Sequence, residues 1–262
     1  MVIAVVVVLV LVGAGAAFAI AWSHRGAKQA SLSDAIAQFR RQGQGGGAGF
    51  LRPAVGVYTY RGRGTEQLSV LGTSQHWGPE LPGTVSHTTD GCWTFRIEYS
   101  THHRQDWDYC PHGTKLQETG GRTLQSFSFV ATTLEDLEVF TCDPPADAIR
   151  TEAKPGEHWG QACEGHSSSR GTSVSSRGTN TFVGLANVRV EGTAIPTYHS
   201  RIVRHLSGSQ HGIEKMDMWF STRDGIPLRV ARDIHVDTPS PIGAVKYTER
   251  GSFVLTSLKP RR

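Results

Sequence analysis

Apolar and polar residues alternate along most of the chain beyond residue 50, which is the pattern of strands that bury only one face. In the segment 93–99, WTFRIEY, the odd positions are aromatic or aliphatic and the even positions are Thr, Arg and Glu. Similar segments follow almost without interruption, separated by glycine-containing turns. The pattern predicts a mainly β protein with a large curved antiparallel meander sheet, a half-barrel with one apolar concave face.

The clearest part of this meander runs from Val188 to Val236, and its turn at 223–225, RDG, fixes a register. A three-residue loop there sets apolar residues opposite apolar ones, whereas a two-residue loop does not, and Gly225 then takes the left-handed position. The predicted pairs are Met218 with Val230, Phe220 with Leu228, Lys215 with Asp233 and Trp219 with Arg229.

Residues 31–41, SLSDAIAQFRR, have the period of an amphipathic helix. Ser31 is a capping residue, with Asp34 at the capping-box position. The apolar residues Leu32, Ala35, Ile36 and Phe39 share one face. We expect this short helix to pack against the sheet, and the alternative is a position along a membrane surface.

The segment from Val2 to Trp22 is apolar without a charge and long enough to span a bilayer, so residues 1–23 are predicted to be a transmembrane anchor. A cleaved signal peptide, with small residues at Ala17 and Ala19, is the alternative. Residues 24–49 are predicted to hold the short helix and a glycine-rich linker, and residues 50–262 to form one β domain. Basic residues follow the apolar run, and taken alone they would place the body of the protein in the cytoplasm.

The four cysteines indicate the opposite side of the membrane, because they are even in number and lack the paired spacing of a zinc site. If Cys92 faces Cys110 across a hairpin, the same register aligns two oppositely charged pairs and two aromatic pairs. These pairs are Arg96 with Asp106, Glu98 with Arg104, Trp93 with Tyr109, and Phe95 with Trp107. Cys142 is then expected to pair with Cys163, and the domain is predicted to be extracytoplasmic and membrane-tethered.

Composition and motifs indicate a binding or interaction role. The formal charge is +4, basic residues are dispersed among acids, and no stripe of basic and aromatic residues predicts nucleic-acid binding. No sequence motif of a hydrolase, metalloprotease or nucleotide-binding protein is present, so we expect a non-enzymatic protein without cofactor or metal. The pair His102-His103 falls at a hairpin tip, where surface histidines are expected.

Several motifs give the soluble part of the chain a family resemblance: GVYTYRGRG, CWTFRIEYSTHHRQDWDYC, FTCDPP, VEGTAIPTYHSRI and MWFSTRDGIPLRV. The chain resembles actinobacterial membrane-anchored proteins of unknown function. More loosely, the segments 192–198 and 219–227 resemble strands of the lipoprotein-carrier half-barrels. That resemblance implies a sheet wrapped around a helix, with acyl chains held in the concavity.

The preferred hypothesis is that the concave face binds a lipid or another apolar ligand. The predicted binding residues are Trp93, Phe95, Met216, Met218, Phe220, Leu228 and Val230. The alternative is a structural or interaction protein of the cell envelope, whose concavity is filled by its own helix and core.

Overall fold

A computed structural model of the chain describes residues 28–43, 47, 49–69, 73–129, 132–168, 171–239 and 243–262. The predicted membrane anchor, 1–23, lies outside these residues, and so does part of the glycine-rich linker. In the described part of the chain, no helix combines the length and apolarity needed to cross a bilayer.

The described residues form one helix and 13 strands. The helix α1 spans Leu32–Gln42. The strands are β1 Gly56–Leu68, β2 Thr73–Trp77, β3 Glu80–His87, β4 Trp93–Ser100, β5 His103–His112, β6 Lys115–Phe129, β7 Thr132–Arg150, β8 His158–Ser167, β9 Thr172–Val190, β10 Thr193–Gly208, β11 His211–Ser221, β12 Pro227–Thr238 and β13 Val245–Leu255.

The sheet closes into a barrel of 12 strands, so the predicted half-barrel is corrected to a full one. Strands β3 to β13 pair in sequence order, and β1 pairs with β3 on one edge and with β13 on the other. The seam with β13 runs from Tyr60 opposite Leu255 to Leu68 opposite Tyr247. Closure satisfies backbone groups that a half-barrel would leave at two free edges. Strand β2 pairs with the second half of β1.

Two glycines allow a tryptophan to lie over this seam. Gly64 on β1 faces Gly251 on β13, and the indole of Trp77 lies across both. A Cβ at Gly251 would come within 2.2 Å of the Trp77 Cζ2 atom. The close approach therefore depends on glycine at both positions, and it places the buried indole against Tyr99 and Phe253.

The helix begins as its sequence predicts and ends at Gln42, one residue later than predicted. Ser31 has an extended backbone, and its hydroxyl accepts a hydrogen bond from the Asp34 backbone N–H at 3.4 Å. Gly43 ends the helix in the left-handed conformation, with φ of 63°.

The helix packs on the outside of the barrel. Ala35 and Phe39 are buried against Val55 and Val57, whereas the next residue along the strand, Tyr58, belongs to the interior core. Because successive side chains of a strand point to opposite faces, α1 covers the outer face of β1. The prediction that the helix contacts the sheet is thus confirmed, but the helix does not fill the concavity.

Both predicted disulfides are present, Cys92–Cys110 and Cys142–Cys163. The β4–β5 hairpin also has the predicted register. Arg96 binds Asp106 at 2.8 Å, and the aromatic pairs 93/109 and 95/107 have ring centroids 4.8 and 5.7 Å apart.

The RDG turn is confirmed with one exception. Met218 faces Val230, Arg229 lies 4.7 Å from the centroid of the Trp219 ring, and Gly225 has φ of 74°. Phe220, however, faces Pro227 rather than Leu228, because a bulge interrupts the pairing after Trp219. Lys215 does lie opposite Asp233, but the Asp233 carboxylate binds Arg250 on β13 at 2.7 Å.

Candidate ligand cavity

The interior of the barrel is divided between a packed core and an open cavity. The core holds most of the large aromatic side chains, among them Trp93, Tyr109 and Phe220, all fully buried. The cavity has a volume of about 1170 Å³ and is lined by side chains from β1 and from β5 to β13. Its rim includes the exposed residues Glu135 and Pro239, so it reaches the surface.

The walls of the cavity include apolar side chains from several strands, and Trp107 links them to the core. The indole of Trp107 lines the cavity and also stacks on Phe95 of the core. The aliphatic contribution comes from Leu68, Leu206, Ile234, Val236 and Val245. One part of the cavity surface is therefore suited to an apolar ligand.

Buried charged residues form the floor, and the first group is centred on Arg204 of β10. Its guanidinium lies 2.5 Å from the Glu118 carboxylate and 3.7 Å from that of Glu214, and it donates a hydrogen bond to Gln161. Arg204 and Glu118 are both buried. The attraction within such a buried pair must offset the desolvation of two charges, so the pair contributes little net stability. Buried charged groups of this kind are common at functional sites.

The second group is centred on Arg232 of β12. Its guanidinium lies 3.5 Å from Glu214 and 3.2 Å from Glu249, and it donates to the Tyr99 hydroxyl at 2.5 Å. The Tyr247 hydroxyl donates to the second oxygen of Glu249 at 3.0 Å. Because Glu214 faces both arginines, the two groups form one network across the barrel.

His103 extends the network to β5 and β1. Its Nδ1 atom lies 2.6 Å from the Glu66 carboxylate, and its ring centroid lies 4.7 Å from that of Tyr99. Both His103 and Glu66 are almost fully buried. The expectation of a surface histidine is wrong for His103, because this residue begins β5 and its side chain points inward to Glu66 of β1.

The charged residues lie in the same alternation as the core. On β11, Glu214 shares a face with Met216 and Met218; on β12, Arg232 shares a face with Val230 and Ile234. A charged residue at an inward position between buried apolar residues can be recognised from the alternation in the sequence. The pattern alone could not show that these charges meet, because their strands are distant in the sequence.

Burial and neighbouring charges shift the pKa values of this network. Burial raises the pKa of Glu118, and the positive charge of Arg204 opposes this rise only in part. Burial likewise raises the pKa of Glu249, against the opposing influence of Arg232 and His103. The floor therefore disfavours full ionisation of its carboxyl groups.

Two polar atoms of the floor have no hydrogen-bond partner among the described residues: Oε1 of Glu249 and Nε of Arg232. The Glu249 oxygen is near the Arg232 guanidinium, but the geometry is not that of a hydrogen bond. Both side chains are more than nine-tenths buried and line the cavity. A buried polar atom without a partner is costly, so these atoms indicate where a ligand could bind.

The seven residues predicted to bind a ligand lie together, but in the core. Trp93, Phe95, Met216, Met218, Phe220, Leu228 and Val230 are all buried in one cluster. Among the described residues that line the cavity, none of the seven is found. The sequence thus located the inner face correctly, and the cavity occupies the adjoining part of the same interior.

Geometry brings Glu118 close to Cys142 and Cys163, with possible metal-ligand atoms within 4.8 Å of one another. The two sulfur atoms are joined in a disulfide, which removes the thiolates that a metal would need. With the disulfide intact, these three residues do not form a metal site.

Comparison with known proteins found no matching family model, no similar curated protein and no similar solved structure. The resemblances to actinobacterial membrane-anchored proteins and to lipoprotein carriers therefore stay predictions. The class that fold and site define is a closed antiparallel β-barrel with an interior cavity and a charged floor.

Proposed function

We propose that this chain is a non-enzymatic, membrane-tethered extracytoplasmic protein that binds a lipid or another largely apolar ligand inside the barrel. The observation that carries the proposal is the interior cavity of about 1170 Å³, which reaches the surface. Small-molecule sites are typically concave and roughly 300 to 1,000 Å³ in volume, mostly apolar with a few placed polar groups. The cavity resembles such a site in size and in its division into apolar walls and polar floor.

The construction of the barrel supports a preformed site. The packed core fills one part of the interior, and some of the strands that line the cavity also contribute side chains to this core. Trp107 contacts both regions, so the cavity wall is held by the core. A preformed wall lowers the conformational entropy that the protein loses when a ligand binds.

The disulfides support an extracytoplasmic location. Disulfides persist in oxidising compartments, and the described residues contain no free cysteine. We infer that residues 1–23 tether the barrel to the membrane, with the barrel on the outer side. A reporter fused after Arg262 tests this topology, because it should be active only outside the cytoplasm.

An interaction protein of the cell envelope is the second candidate. It is favoured by the packing of all seven predicted ligand residues into the closed core. In that case the barrel is a scaffold, and its outer surface carries the function.

Two measurements separate the candidates. Native mass spectrometry of protein from the producing cells should show a co-purified lipid if the barrel is a carrier. In parallel, the purified protein should bind a fluorescent fatty alcohol, and Leu206→Trp should block binding by filling the cavity. Leu185→Trp is the matched control, because Leu185 is 71% exposed and lies outside the cavity. If the unmodified protein binds no such probe, the interaction protein is the better description.

A further inference from the structure

The buried network beside the cavity contains more acids than bases. Among the described residues of the network, the carboxyl groups belong to Glu66, Glu118, Glu214 and Glu249, and the guanidinium groups to Arg204 and Arg232. His103 is the remaining basic group, and it faces Glu66. Even with a protonated imidazole, four carboxyl groups face three cations, so one carboxyl group is without a cation of its own.

Glu249 and Glu214 share the Arg232 guanidinium, which lies 3.2 Å from Glu249 and 3.5 Å from Glu214, and Glu249 is the more deeply buried of the two. Arg232, its nearest cation, is shared with Glu214 and also donates to the Tyr99 hydroxyl. One carboxylate oxygen of Glu249 accepts from Tyr247, and the other accepts no hydrogen bond from the described residues. The side chain is buried and lines the cavity. It is thus a buried acceptor in the cavity wall, which a ligand inside the barrel reaches once the neighbouring side chains move slightly.

We propose that the cavity selects amphipathic ligands with a protonated amine, and that Glu249 receives the amine while the apolar tail lies along the walls. This inference deepens the proposed function and rests on it. The amine supplies the missing cation and a donor for the free oxygen, and hydrogen bonds between charged groups are stronger than neutral ones. The tail lies near Ile234 and Val236, the next inward residues of β12 towards the rim.

An anionic ligand fits the same floor poorly. Arg204 and Arg232 each already lie within 4 Å of two carboxylates. A further carboxylate would compete with these glutamates and add to an acidic excess in a site of low dielectric. The free Nε atom of Arg232 can instead bind a neutral acceptor, such as a ligand hydroxyl.

The groups that face Glu249 are Arg232 from β12, His103 from β5, Glu66 from β1 and Tyr247 from its own strand. Burial raises the pKa of Glu249, so its carboxyl group retains a proton more readily than an ordinary one. An ammonium ion bound beside Glu249 stabilises the carboxylate form, so any proton on the carboxyl group passes to solvent, with no covalent bond made or broken.

The test compares decylamine, decanol and decanoate, which share one chain and differ in charge, by isothermal calorimetry on the full chain with its disulfides intact. We expect decylamine to bind roughly tenfold or more tightly than decanol, the scale of one hydrogen bond to a charged group, with decanoate the weakest.

The variant Glu249→Gln should lower decylamine affinity to about that of decanol and lower decanol affinity much less. Glu135→Gln is the control, since Glu135 also lines the cavity but is exposed at its rim, where water screens its charge. A loss of amine binding in both variants would indicate general attraction to acid rather than a site at Glu249.

Each remaining outcome has a distinct meaning. Equal affinity for the three ligands would overturn the amine preference and leave the proposed carrier standing, and tighter binding of decanoate would assign the site to an anion at Arg232. No binding of any of them would overturn the carrier itself. Should Glu249→Gln fail to fold, the three-ligand comparison on the unmodified protein still decides.

Discussion

Replacement of Met218 by alanine tests whether the seven predicted ligand residues form a solid core. Met218 is fully buried, faces Val230 across β11 and β12, and has its sulfur 4.0 Å from the Tyr109 hydroxyl. Its neighbours belong to a closed barrel and have little freedom to collapse into the space that the substitution leaves. We therefore expect a loss of about 3 kcal/mol, within the range of about 2–5 kcal/mol for such core truncations.

The assay is denaturant unfolding, followed by tryptophan fluorescence, with the midpoint and the slope fitted together. Met218→Leu is the matched control, because it keeps the volume and should cost less than about 1.5 kcal/mol. Binding of decanol by the folded variant should be unchanged, since Met218 does not line the cavity. A loss below about 1 kcal/mol together with weakened decanol binding would refute this reasoning and make Met218 part of a ligand wall.

Three further predictions concern the buried network and the barrel seam. Arg204→Met should cost about 3–5 kcal/mol by leaving Glu118 buried without its cation, and adding Glu118→Gln should recover part of the loss in the same unfolding assay. Gly251→Ala should cost about 1–3 kcal/mol because its Cβ would meet an indole ring, whereas Gly160→Ala, with open space around it, should be nearly neutral in thermal melts. Burial raises the pKa of Glu249, so the folded protein holds this proton more strongly than the unfolded chain, and stability should fall as pH rises above about 4.5. Glu249→Gln should make the free energy of unfolding depend less on pH in this range. An unchanged dependence on pH would contradict the raised pKa of Glu249.

The register of the β4–β5 hairpin shows how far local sequence reaches. The disulfide, the Arg96–Asp106 ion pair and two aromatic pairs all follow from one assumption about Cys92 and Cys110. A shift of the register by one residue would move every side chain to the opposite face of the sheet. The alternation and the turn therefore fix the pairing together. The bulge before Phe220 was not predictable in this way, because nothing in the turn residues marks it.

The sequence by itself determined that the chain is mainly β, the inner faces of its alternating strands, the β4–β5 register, the disulfide pairs and, to within one residue, the helix. These features depend on period, turn chemistry and capping, which act between residues close in the chain or across one hairpin. The sequence did not determine where strands end, because Gly64, Gly120 and Gly251, which suggest turns, lie inside strands. Tertiary structure alone decided that β1 meets β13, that α1 lies outside, and that part of the interior stays open. It also brought together Glu66, His103, Glu118, Arg204, Glu214, Arg232 and Glu249 from seven strands, because only closure of the barrel places residues so distant in sequence around one space.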